Sequence, residues 1–230
     1  SLLELQLLRN CKQYRDCGFT LKESVELVNN SAAQDVQEHL TLQCHKLENL
    51  IIHKQFLLEV LREKARDFNT LFKDQTSCEL AQFLPLVYFP MGFPGEIVNN
   101  PVPEELMSTL LDLEPLTSSF LLIPESDFLQ GNGKIETEKG LSINERYVVG
   151  LGLKTDPWSV YIPGGECVRT IIKVNDDLSI SAPEFDNARA FLTENALEIH
   201  GPIFSRIFHM TTIHGKLERF DQLYIPVLHK

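Results

Sequence analysis

The sequence predicts an α+β chain: helices first, then strands grouped as a duplicated βαββ unit. Three observations carry this. Residues 31–68 contain neither Gly nor Pro and repeat apolar residues at three- and four-residue steps. From Cys78 onward the pattern changes to short β-rich runs punctuated by Pro and Gly. Within that region Phe83-Leu84-Pro85 corresponds to Tyr161-Ile162-Pro163, and Pro103-Glu104 to Pro183-Glu184, at offsets of 78 and 80 residues. Such a fixed offset suggests an internal duplication.

The elements follow in order. Residues 2–17 form an amphipathic helix with Leu5, Leu8, Cys11 and Tyr14 on one face. Gly18 ends it as the residue past the C-cap. Thr20 and Glu23 then make a capping box for a short second helix carrying Val25 and Val28. In the long helix, Leu40, Cys44, Leu47, Ile51, Leu58, Leu61, Ala65 and Phe68 form a heptad seam in which Lys54 is the charged exception. Leu50 and Leu57 widen the seam on one side. A lone helix cannot bury such a seam against itself. It either pairs with a second copy through Leu40, Leu47, Ile51, Leu58 and Leu61, or lies on its own domain.

After a polar bridge, residues 78–88 read as strand. Pro103 opens a helix through residue 113, with Pro where its missing N–H costs least. Residues 119–123 are a strand, 125–140 a polar loop or hairpin, and 146–153 another strand. The order then repeats: strand over 158–174, a helix opened by Pro183, a break at Gly201-Pro202, and strands over 203–210 and 220–228.

Composition narrows the function. The chain has 230 residues, 43% hydrophobic, and a net charge of −11. That balance argues against phosphate-backbone binding by this chain as a whole. The first 22 residues are mildly basic. Five scattered cysteines without a CxxC fit reduced thiols in a cytoplasmic protein. No run is apolar enough for a bilayer, so no membrane partner is expected. Gly131-Asn132-Gly133-Lys134 lacks the spacing of a P-loop. Gly150-Leu151-Gly152 lacks the third glycine of a dinucleotide loop and falls in a strand pattern. There is no GxSxG and no HExxH. The expectation is a non-enzyme without metal or cofactor.

Two stretches carry a family resemblance. Leu7-Leu8-Arg9, followed by Tyr14-Arg15-Asp16-Cys17-Gly18-Phe19-Thr20-Leu21-Lys22-Glu23, resembles the second half of a MerR-type DNA-binding domain, with Cys17 where Leu is usual. Tyr161-Ile162-Pro163-Gly164-Gly165-Glu166, His200-Gly201-Pro202-Ile203-Phe204 and Leu223-Tyr224-Ile225-Pro226-Val227 are similar to motifs of the GyrI-like, or SOUL-type, effector-binding domain. The resemblance implies three parts. Residues 1–30 are a remnant of the DNA-binding domain, 31–70 the coiled-coil dimerisation helix, and 76–230 the effector-binding domain. It also implies that the chain begins inside the DNA-binding domain, whose helix-turn-helix and first wing would contact promoter DNA. Arg9, Lys12 and Arg15 are then candidates for DNA-backbone contacts, with ordinary surface charge as the alternative.

A ligand site is expected where the two βαββ halves meet. Tyr88, Phe120, Tyr147, Trp158, Tyr161, Phe204, Phe208 and Tyr224 all fall in expected strands, and about half should be core. Gln222 and Tyr224 share a strand face. Relatives place an acid and a Tyr on this last strand. Here Gln222 stands in place of the acid, which puts cation recognition in doubt. Glu145 and Glu166 are possible substitutes. The candidate ligand residues are Phe120, Glu145, Tyr147, Tyr161, His209, Gln222 and Tyr224, for a small aromatic or apolar effector. The alternative is a stand-alone GyrI-like small-molecule or haem-binding protein, or a hydrolase.

Overall fold

A computed structural model of the chain describes residues 1–73, 77–91, 102–130, 133, 135–174 and 179–229. Of the Gly131–Lys134 run weighed above, only Gly133 lies among them. The chain divides into two compact units, Ser1–Gln55 and Phe56–Lys230.

In the first unit, α1 (Leu2–Asp16) starts from a capping box between Ser1 and Glu4. It ends at Gly18, whose φ of +94° allows Phe19 N–H to donate back to Tyr14. Phe19 is buried and meets Tyr14 edge-on at 5.9 Å. The α2 helix (Leu21–Asn29) is capped reciprocally: Glu23 N–H donates to Thr20 Oγ1, and Thr20 N–H donates to Glu23 Oε2 at 2.7 Å. These donated bonds hold the Glu23 carboxyl below its usual range. Gln43 on the long helix α3 (Ala33–Lys73) donates to Cys17 O at 2.9 Å.

In the second unit, α3 from Phe56 onward lies on a sheet. The strands are β1 (Glu79–Phe83), β2 (Leu86–Pro90), β3 (Thr117–Ile123), β4 (Glu138–Asn144), β5 (Val160–Ile162), β6 (Gly165–Val174), β7 (Leu197–Ile199), β8 (Ile203–Ile213) and β9 (Lys216–His229). Their order is β1-β6-β9-β8-β3-β4-β2-β5, with β7 on β9, and every pairing is antiparallel. The β8–β9 hairpin turns through His214 and Gly215, both at positive φ, as a tight right-twisted hairpin requires. The helices are α4 (Glu104–Asp112), α5 (Glu125–Gln130), α6 (Glu145–Leu151) and α7 (Asp186–Glu194), the last preceded by a 3-10 turn at Ala182–Phe185.

Burial follows from strand alternation. One sheet face sends Val168, Leu223, Ile225 and Ile123 against Phe128, Phe185 and Leu192. Val87, Phe89, Leu141 and Ile143 pack with Leu110 of α4 and Tyr147 of α6. The other face carries the candidate site.

Three expectations are corrected. Residues 146–153 are not a strand. Glu145 opens a helix after Asn144, and Gly152 closes it at φ +64°. Leu153 N–H donates to Val148 O and Gly152 N–H to Val149 O, which completes a Schellman cap. The β-branched pair Val148-Val149 suggested a strand, but the cap decides the backbone. Likewise the polar run after residue 124 begins as α5. In the long helix, Leu57 and Phe68, read as seam residues, pack inward. Phe56, Leu57 and Val60 join the α4/α6 cluster, and Phe68 meets Phe208 at a tilt, ring centroids 4.6 Å apart. Leu58 and Leu61 remain 47% and 59% exposed. This part of the helix therefore uses one stripe on its own domain and leaves the neighbouring stripe uncovered.

Candidate functional site

Strand register builds an aromatic column across one sheet face. Tyr88 and Phe120 have ring centroids 4.6 Å apart. Phe120 stacks on Phe204 at 5.0 Å, and Phe204 on Tyr224 at 4.9 Å. Phe83 meets Phe204 edge-on at 5.5 Å. Such offset and tilted pairs are favourable beyond their buried area. Gly140 of β4 makes the Tyr88–Phe120 contact possible. A Cβ there would lie 2.4 Å from the Tyr88 ring and 2.2 Å from Phe89 O. Cys167 closes the column's end, and burial pushes its thiol up to about 12, so it is no nucleophile near neutral pH.

A polar network ties the column to α3. The Tyr224 hydroxyl donates to Gln222 Oε1 at 2.8 Å. Gln222 Nε2 donates to Asp67 Oδ2 at 3.2 Å. Arg169 Nη1 donates to the other oxygen, Asp67 Oδ1, at 3.2 Å, and Arg169 also grips Glu79. Asp67 is 5% exposed. Burial pushes its carboxyl above the usual range, against the opposing pull of Arg169 and Gln222. Burial also pushes the Tyr224 hydroxyl up to about 12, so it remains a donor. Beside Phe204 and Phe208 on β8, Arg206 donates to Ser118 Oγ at 3.1 Å. Ser142, between Tyr88 and Ser118 in register, has a buried hydroxyl with no hydrogen-bond partner among the described residues.

The expected ligand residues divide. Phe120, Gln222 and Tyr224 belong to the column and its network. His209 lies on β8 with its ring edge-on to Phe68 at 5.1 Å. Tyr147 sits on α6, fully buried, 4.6 Å from Phe56, and accepts from Arg146 at 2.7 Å. It still borders the cleft with Asn144 and Arg206. Tyr161 is 53% exposed, because its neighbour Ile162 takes the inward position on three-residue β5. Glu145 opens α6, and Glu166 pairs with His229 at 3.2 Å. The carboxylate beside Gln222 is Asp67. Sequence reasoning missed Asp67, Arg169 and Arg206. The signal for Asp67 was its place on the Phe56, Val60, Glu63 stripe.

With α3 seated, little space remains. The cleft under Glu63 and Lys64, floored by Arg206 and Gln222, encloses about 40 Å³. Its continuation toward Phe83, Phe204 and Tyr224 encloses about 60 Å³. Each holds roughly one or two waters. A shallower hollow of about 480 Å³ lies at Pro124, Glu125, Glu138 and Pro202, away from the network. Among the described residues no cluster of His, Cys, Asp or Glu is arranged to hold a metal. Nor is any helix long and apolar enough to cross a membrane.

Fold and site thus define a chain of mixed helix and antiparallel sheet, with a long helix laid over an aromatic sheet face. No sequence-family model and no curated protein sequence matches it. Among solved structures it is similar to the chain in "Cryo-EM structure of EcmrR-DNA complex in EcmrR-RPo". That match has 14% identity and a TM-score of 0.38, and covers all of this chain and 85% of that one. It is also similar to the "Crystal structure of EcmrR C-terminal domain". There the identity is 10% and the TM-score 0.41, covering 67% of this chain and 98% of that one.

Proposed function

We propose that this chain is the effector-sensing and dimerising part of a ligand-responsive transcriptional regulator of the MerR type. Its sheet would receive a small aromatic or apolar molecule on the Phe83/Tyr88/Phe120/Phe204/Tyr224 face. The observation that carries the reading is the hydrogen-bonded chain from Tyr224 through Gln222 to Asp67 on α3. A ligand that disturbed the aromatic column would act directly on the long helix.

The motif order of the sequence supports the same reading. A strand, helix, strand, strand order recurs once two extra elements are set aside: β2-α4-β3-β4 with α5 inserted before β4, and β6-α7-β8-β9 with β7 inserted before β8, and this recurrence supports the duplicated βαββ reading. The exposed stripe of α3, with Leu40, Leu47, Ile51, Leu58 and Leu61, suits a homodimer. Arg9, Lys12 and Arg15 are exposed on α1 and suit promoter-backbone contacts beside a DNA-binding part.

The test is calorimetry of planar aromatic probes on the wild type, Tyr224→Ala and Tyr224→Phe. Tyr224→Ala should weaken binding about tenfold or more, since a stacking surface is lost. Tyr224→Phe should weaken it less. Probes that bind all three proteins equally would place the effector site elsewhere.

A further inference from the structure

The charges of this site come from two elements, with Lys64 of α3 a cation at the cleft's helix side. The sheet contributes two arginines, Arg169 and Arg206, which flank Phe204 and Tyr224 and border the same cavity. The carboxylates over the sheet's centre, Glu63 and Asp67, come from α3. Arg169 is satisfied by Asp67 and, at the sheet edge, by Glu79. Arg206 is not. It is half-buried, its partner is the neutral Ser118 hydroxyl, and among the described residues no carboxylate stands within ion-pairing distance. A half-buried guanidinium without an anion is costly. Its planar fork matches a carboxylate, and stacked rings lie beside it. The acid expected on β9 is Gln222, so no fixed carboxylate of that strand faces the cleft.

Resting on the effector-site reading above, we propose that the effector is a flat aromatic anion, an aryl carboxylate or its sulfonate equivalent. Its charge docks on Arg206 and its ring lies against Phe204 and Tyr224. With α3 in place the cavities of about 40 and about 60 Å³ are too small for an aromatic ring. The anion therefore competes with Glu63 and Asp67 for the arginine-bearing sheet and lifts this part of α3 as it enters. The helix carboxylates act as a built-in competitor. This inverts the charge preference that an acid on the last strand would give.

The experiment compares three matched probes on the 230-residue chain: 2-naphthoate, 2-naphthalenemethanol and 2-naphthylmethylammonium. Calorimetry is run on the wild type, Arg206→Gln, Arg206→Lys and Asp67→Asn, with thermal melts checking that each variant folds. Naphthoate should bind tightest to the wild type. Arg206→Gln should cost it about tenfold or more while leaving the alcohol unchanged, and Arg206→Lys should recover part of the loss. Asp67→Asn should raise naphthoate affinity, because a competitor is gone. If the ammonium probe binds tighter than naphthoate, or Arg206→Gln weakens all three equally, the anion assignment is wrong. Alcohol and ammonium binding without naphthoate binding would sink this inference and leave the effector site standing. Binding of none of the three would sink both.

Discussion

In Ser1–Gln55, α1 has no buried residue, and Leu2, Leu3, Leu5 and Leu8 are each at least 69% exposed. The buried side chains of this unit, all beyond α1, are Phe19, Ser24 and Leu27. In Phe56–Lys230, by contrast, Phe89, Phe120, Phe128, Phe185 and Phe204 are all fully buried. Both units carry apolar residues at helical spacing. The difference is a second surface: the sheet offers one to its helices, and α1 has none of comparable size. A periodic pattern therefore identifies an apolar face without saying what covers it. The same lesson applies inside α3, where Val60 packs and Leu61, one residue on, does not.

The largest effect that sharpens this contrast is core truncation. Phe185→Ala should cost about 3–5 kcal/mol in urea unfolding, whereas Leu8→Ala should stay within about 0.5 kcal/mol. Equal losses at the two positions would erase the distinction between the units. Next comes the uncovered stripe. Ile51→Glu combined with Leu58→Glu should convert a dimer to monomers in sedimentation velocity without lowering the melting temperature of the sheet-bearing unit. A double variant that still sediments as a dimer would locate the interface elsewhere.

The smallest effect concerns Asp67. Its folded carboxyl is raised above the ordinary value of 3.8, chiefly by burial. The folded state thus holds this proton to higher pH than the unfolded chain does. The group's contribution is most favourable below the unfolded value and is lost as pH rises through the folded one. Asp67→Asn should therefore lose less stability than the wild type between about pH 4 and about pH 7. Melts at both pH values check this, and an equal or larger loss in the variant would contradict it.

Local chemistry was legible in the sequence. The Thr20–Glu23 capping box, the Gly18 stop and the Pro103 helix start involve neighbours in the chain, and each stands where the sequence placed it. The shared face of Gln222 and Tyr224 follows from a two-residue period. Gly152 was visible too, yet residues 146–153 read as a strand. The site's charges were illegible for a different reason. Arg169 meets Tyr224 only through the β6–β9 register, and Arg206 meets Phe120 only through β8–β3. Asp67 reaches Gln222 across 155 residues of chain. No local pattern encodes such meetings. Gly140 is the intermediate case: the residue is conspicuous, but its reason is the Tyr88 ring beside it.

The crossed edges of the sheet have a consequence for how the chain is made. β1 pairs with β6, and β5 pairs back with β2. Each half of the sheet thus lends its outer strand to the other half. Glu79 finds Arg169 only after 90 more residues have been added. A nascent chain leaving the ribosome N-terminus first carries β1 with its hydrogen-bonding edge unmet until β6 emerges. Closing so long a loop is entropically slow compared with forming a local hairpin such as β8–β9. Neither half of the sheet has all its pairings until strands of the other have been synthesised.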